Sequence, residues 1–143
     1  MHLLDINVWL ALVFEVHTHH KNAVAWFNTA EKDSVAFCRL TQQGFLRLAT
    51  NNTIFSDAAL NLTDAWRCYD MLLDDERVCF LNELPGLEDC WRKHTKQRSK
   101  SHHVWNDAYL IAFAETADIE LVTFENGFSS YNSNDLQLRI LAS

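Results

Sequence analysis

Short apolar runs alternate with longer amphipathic stretches from one end of this 143-residue chain to the other. "MHLLD", ending at Asp5, "SVAFC", "RVCFL" and "IELVTF" are each too short and too apolar for a surface helix, and fit strands buried on both faces. "LQLRIL", close to the last residue, reads as a fifth. Between them, the apolar positions recur at helical spacing. "NVWLALVFEV" predicts a helix capped by Asp5 or Asn7. "KNAVAWFNTAEK" places Ala23, Trp26, Phe27 and Ala30 on one stripe. "TQQGFLRLAT" resumes that spacing, with Thr41 as its expected cap. "NLTDAWRCYDMLLDD" is a further helix, and a mainly helical polar stretch follows Pro85, which suits the first turn of a helix. "VWNDAYLIAFAETA" is the clearest helix in the chain. Strand–helix alternation of this kind specifies an α/β fold whose parallel sheet is covered on both sides. The expectation is a single domain over residues 1–143, with no internal repeat.

Composition narrows the function classes. Three glycines and one proline leave little room for flexible linkers. A formal net charge of −7 disfavours nonspecific nucleic-acid binding by the molecule as a whole, while allowing a local basic patch. No apolar run is long enough to span a bilayer. The first apolar stretch has no basic residue before it and is interrupted by Asp5, unlike a secretory signal. With no membrane or export signal, Cys38, Cys68, Cys79 and Cys90 read as free thiols in a reducing cytoplasm. Cys90 and His94 stand four apart on a probable helix, as a zinc pair does. No second pair matches them, which weighs against structural zinc.

In a parallel α/β sheet the functional crevice lies beyond the carboxyl ends of the strands. Asp5 ends the first strand and Glu125 follows the fourth, in "LVTFENGF". Asp107 shares a helical stripe with Leu110, Ile111 and Ala114, the face that packs inward. A carboxylate there is costly unless paired or bound to a cation. Each acid has a plainer reading alone: Asp5 as a helix cap, Glu125 as a solvated turn residue, Asp107 as a cap or ion-pair partner. Together they make a hard-cation site of the kind that binds Mg²⁺ or Mn²⁺.

"LLDINVWLAL", "TQQGFLRLAT", "WNDAYLIAFA" and "LVTFENGF", in that order, resemble the PIN-domain ribonucleases. They look most like the VapC toxins of type II toxin–antitoxin modules, and the resemblance covers essentially the whole chain. It implies a PIN-like three-layer sandwich, with a central, mainly parallel sheet flanked by helices. It also implies metal-dependent endonucleolytic hydrolysis of RNA, a cognate antitoxin partner and a homodimer. By position, Asp5, Asp107 and Glu125 match the acids that hold Mg²⁺ or Mn²⁺, with Glu125 where the family usually has Asp. Asn7 and Thr123 match supporting polar residues. Gln42 stands where many relatives carry a fourth acid, and is expected in the site as a neutral substitute.

"WRKHTKQRSKSHH", residues 91–103, holds Arg92, Lys93, Lys96, Arg98 and Lys100, five of the chain's 12 Lys and Arg. Arg92, Lys96, Arg98 and Lys100 are the expected RNA-phosphate contacts, against the simpler reading of a solvated helix end. Arg47 is placed to reach the crevice or to pair with an acid at the core edge. The five tryptophans read as mostly core positions, and His17, His19 and His20 as a surface loop. A haloacid-dehalogenase-type phosphatase needs a second Asp where this chain has Asn7, and fits poorly. The non-enzymatic alternative is a weakened PIN domain that binds RNA or protein without cutting; Gln42 favours it, and intact Asp5 and Asp107 oppose it.

Overall fold

A computed structural model describes residues 1–131 and 135–142. Five strands form one sheet in the order β3-β2-β1-β4-β5, and every neighbouring pair is parallel. They are β1 (His2–Leu4), β2 (Val35–Phe37), β3 (Val78–Phe80), β4 (Glu120–Thr123) and β5 (Gln137–Ile140). The helices are α1 (Ile6–Val13), α2 (His20–Phe27), α3 (Arg39–Ala49), α4 (Asn52–Phe55), α5 (Leu62–Asp74), α6 (Leu87–His94) and α7 (His103–Ala117).

Strand periodicity divides the core into two layers. Successive side chains point to opposite faces. Leu4 and Val122 therefore join the cluster built with α1, α3 and α5, whereas Leu3 and Leu121 join the cluster under α6 and α7. The first cluster is rich in rings, with Trp9 stacked on Phe37 at 3.7 Å between centroids and Tyr69 edge-on to Phe37 at 5.0 Å. On the other side, every residue of α7 from Ala108 to Ala114 is buried. That helix lies between the sheet and α6, which explains why its apolar residues run all round rather than along one stripe.

Gly44 sets the approach of α3 to α1. A Cβ at this position would lie 2.1 Å from Cδ1 of Ile6, so any side chain would require the Ile6 side chain to move out of its place between the helices. Several local expectations change. Thr41 is not the cap of α3: the helix starts two residues earlier, after Cys38. Thr41 instead occupies its first turn, where Oγ1 accepts from the Cys38 N–H at 2.9 Å. Pro85 lies in the turn before α6 rather than within that helix. The short α4 was not expected at all. Of the tryptophans, Trp9 is fully buried, but Trp66 and Trp105 are 51% and 59% exposed. Their sequence stripes describe helix faces that pack only at their edges. His19 and His20 are half-buried; His19 stacks on Phe124 at 4.5 Å, and His20 Nδ1 lies 2.7 Å from the Ala11 carbonyl oxygen.

Candidate metal centre and nuclease cleft

β1 and β4 are adjacent, and Leu4 pairs with Val122. One residue further along each strand are Asp5 and Thr123, so the register alone brings them side by side. Asp5 Oδ2 accepts from the Thr123 hydroxyl at 2.8 Å, and Oδ1 accepts from the Ile6 N–H at 2.7 Å. Asp5 therefore caps α1 with one oxygen and is held by the neighbouring strand through the other. The same Thr123 oxygen accepts from the Glu125 backbone N–H at 2.9 Å. Glu125 stands exposed just past the strand, and its Oε1 accepts from Asn7 Nδ2 at 2.9 Å. Asn7 and Thr123 thus orient the two acids from opposite sides.

Asp5, Asn7, Asp107 and Glu125 line one cleft of about 590 Å³ beyond the carboxyl ends of the central strands. Asp107 reaches it from the second turn of α7 and is half-buried. Burial and neighbouring charge raise the proton affinity of Asp5 and Asp107. Asp5 is 7% exposed, and burial is the main reason its carboxyl is pushed up to about 6. Its hydrogen bonds from Thr123 and Ile6 oppose the rise, while the charges of Asp107 and Glu125 add to it. Asp107 is also raised, first by burial and then by Glu125, with His103 opposing. Asp5 and Asp107 thus carry their charge at a cost, and the all-oxygen donors of the cleft fit a hard divalent cation.

Gln42 does not line this cleft. Its side-chain oxygen accepts from Arg39, whose guanidinium lies over the Phe80 ring. Helical geometry gives the reason. Thr41, Gly44, Arg47 and Leu48 share the stripe that faces α1, whereas Gln42 shares a stripe with Phe45 and Ala49. Arg47 lines the acid cleft, so α3 contributes a cation there instead of an amide. His102, His103 and Asn106 also line it. Asn106 carried no signal of its own in the sequence beyond its place beside Asp107.

The basic segment divides. Arg92 lies on α6 and pairs with Glu88 one turn back at 2.9 Å. Lys96, Arg98 and Lys100 are exposed on the connection from α6 to α7. Lys100 lines a depression that shares His102 with the acid cleft, so this connection approaches the cleft from one side. No helix among the described residues is long and apolar enough to cross a membrane.

The PIN domain family matches residues 2–134. Ribonuclease VapC41 of Mycobacterium tuberculosis is 42% identical over 147 aligned residues, covering 99% of each chain. Among solved structures, Mycobacterium tuberculosis VapC20, described as a Sarcin-Ricin loop cleaving toxin, superposes with a TM-score of 0.67 over 95% of this chain and 98% of its own, at 14% identity. VapBC2 from Rickettsia felis, solved bound to a DNA fragment from their promoter, gives 0.65 over 99% and 98%, at 12% identity. The two structures share the overall fold of this chain, and the full-length identity to VapC41 carries the closer relationship. This chain belongs to the PIN-domain family and, within it, to the VapC-like ribonucleases.

Proposed function

We propose that this protein is a divalent-metal-dependent endoribonuclease and the toxin of a toxin–antitoxin pair, with its active centre in the cleft of Asp5, Asp107 and Glu125. The observation that carries the reading is the convergence of these three acids from the ends of β1 and β4 and from α7 on one cleft, where burial and neighbouring carboxylates disfavour charge on Asp5 and Asp107.

Asp5, Asp107 and Glu125 would hold the ion, Mg²⁺ or Mn²⁺. When bound, such an ion lowers the pKa of water and draws charge from a phosphoryl group in the transition state. The chain's own residues do the rest. Thr123 and the Ile6 N–H fix the Asp5 carboxylate, so that its oxygens do not need to be ordered when substrate arrives. Asn7 holds Glu125. Arg47, which also lines the cleft, offers a planar guanidinium to a phosphate oxygen. Lys96, Arg98 and Lys100 extend positive charge along the strand of RNA that leaves the cleft. Arg92, already paired with Glu88, contributes less than these three. The partners are an RNA substrate and a cognate antitoxin, and the toxin assembles as a homodimer. Gln42 was the residue that favoured a non-cutting PIN domain, and with its amide turned to Arg39 it no longer bears on the acid site.

Cleavage of single-stranded RNA, titrated with Mg²⁺ and Mn²⁺, tests this. Asp5→Asn and Asp107→Asn should each lower cleavage by more than about 100-fold, beyond what outer-shell changes at metal sites typically cost. Retention of wild-type cleavage by Asp107→Asn would remove α7 from the active centre.

A further inference from the structure

A second cluster of metal-ligand side chains lies on the far half of α7. Cys90 and His94 project from α6 one turn apart, and Glu115 meets them from α7. Cys90 Sγ donates to Glu115 Oε2 at 3.0 Å, and His94 Nε2 lies 3.1 Å from both carboxylate oxygens. The three ligand atoms all fall within 4.8 Å of one another. Two ligands on one tetrahedral zinc ion stand about 3.5 Å apart, given bonds of about 2.3 Å to sulfur and 2.0 Å to nitrogen. The cluster therefore needs only small side-chain shifts to surround an ion.

We infer that Cys90, His94 and Glu115 form a zinc site that clips α6 to α7, separate from the acid cleft. The donor set chooses the metal. A thiolate and an imidazole favour Zn²⁺ or Co²⁺, and offer little to Mg²⁺ or Mn²⁺. Burial favours a built site over a chance meeting: the His94 and Glu115 side chains are each only 8% exposed. Charge favours a cation as well. Asp89, Asp118 and Asp135 line the same cleft against a single lysine, Lys93. In the metal-free cluster Cys90 is a neutral thiol that donates to the Glu115 carboxylate at 3.0 Å. A metal reverses that preference, because the Sγ–metal bond forms as the thiol proton passes to solvent, and His94 binds as neutral imidazole. Without metal, the thiol and imidazole hydrogen-bond to the Glu115 carboxylate, and the cluster remains satisfied.

The site lies away from the chemistry. Glu115 is a little over two turns beyond Asp107 on the same helix, about 12 Å along its axis. A metal held there would fix the end of α6 from which the chain runs through Lys96, Arg98 and Lys100 into α7.

Co²⁺ added to the intact protein reads the sulfur ligand directly, because the acid cleft contains no thiol. One equivalent should give a thiolate-to-cobalt charge-transfer band. Zn²⁺, but not excess Mg²⁺, should quench that band and protect Cys90 of the wild-type protein from alkylation, with chelation restoring reactivity. Cys90→Ser should abolish the band, and His94→Gln should weaken Co²⁺ binding at least about tenfold. No charge-transfer band with the intact protein, an equal band in Cys90→Ser, or no protection of Cys90 by Zn²⁺ would each overturn the assignment.

Discussion

The two polar clusters at opposite ends of α7 solve the problem of buried charge in different ways. In the cleft of Asp5, Asp107 and Glu125, like charges face one another, and Asp5 and Asp107 are both pushed toward the protonated form. In the cluster of Cys90, His94 and Glu115, two donors face one acceptor, and the three groups satisfy one another. The first arrangement stores unfavourable electrostatics that a divalent cation would relieve, as suits the proposed centre for ion and phosphate. The second is stable empty and gains from a softer ion only by giving up a proton. Carboxylates alone are thus a poor structural glue but a good receptor for a hard cation.

The sharpest way to break this comparison is to remove the buried charge of Asp5. Below about 3.8, the ordinary value, Asp5 is protonated in both the folded and unfolded chains. As pH rises toward 6 the unfolded chain ionises first, so the metal-free protein loses stability, and above about 6 the loss is complete. A shift of this size corresponds to at most on the order of 3 kcal/mol. Asp5→Asn keeps an acceptor for the Ile6 N–H and removes the charge. At pH 7 without metal it should therefore melt several degrees above the wild type, and the difference should vanish at pH 4. With Mn²⁺ present the order should reverse, because only the wild type gains from the ion. If Asp5→Asn melts below the wild type in metal-free buffer at pH 7, the acid cleft is not electrostatically strained.

The legibility of the two clusters in the sequence differed for physical reasons. Asp5 and Glu125 could be found because strand ends are visible as the ends of apolar runs, and parallel register puts neighbouring ends together. Asp107 was visible as a charge on an apolar stripe. The cysteine–histidine pair on α6 was visible too, but a helix supplies only the ligands it carries itself. Glu115 came from a different helix, and nothing in its surroundings, "FAETA", marks it as a ligand. The all-parallel sheet was legible from strand–helix alternation, although its strand order came only with the coordinates. Gln42 failed for a subtler reason: one position along a helix turns a side chain by about 100°. A motif aligned by sequence places a residue on a helix without securing which way it faces.

A smaller effect is expected from the connection that leads from the soft cluster to the acid cleft. Replacing Lys96, Arg98 and Lys100 with glutamine should weaken binding to single-stranded RNA. It should also reduce the slope of log affinity against log salt by about 2, given roughly 0.7 per phosphate contact. Cleavage at saturating RNA should change much less. An unchanged slope would return this connection to solvent-exposed surface and leave Arg47 as the main phosphate contact.

The smallest effect concerns α3, where two residues five positions apart should behave oppositely. Gln42 faces away from the acids and binds Arg39, whereas Arg47 lines the cleft. Gln42→Glu adds a carboxylate, but beside a guanidinium that already donates to that position. The new charge is compensated locally and does not reach the metal ligands, so the Mg²⁺ or Mn²⁺ concentration for half-maximal cleavage should remain the same. Arg47→Gln removes a positive charge from the cleft that Asp5 and Glu125 line. It should raise the KM for RNA, while metal affinity stays equal or improves slightly as a competing cation is lost. Measuring both variants across a Mn²⁺ titration separates the two faces of the helix. A lower metal requirement in Gln42→Glu would mean that α3 turns its Gln42 face to the acids, and the stripe of Thr41, Gly44 and Arg47 would no longer define the wall of the cleft.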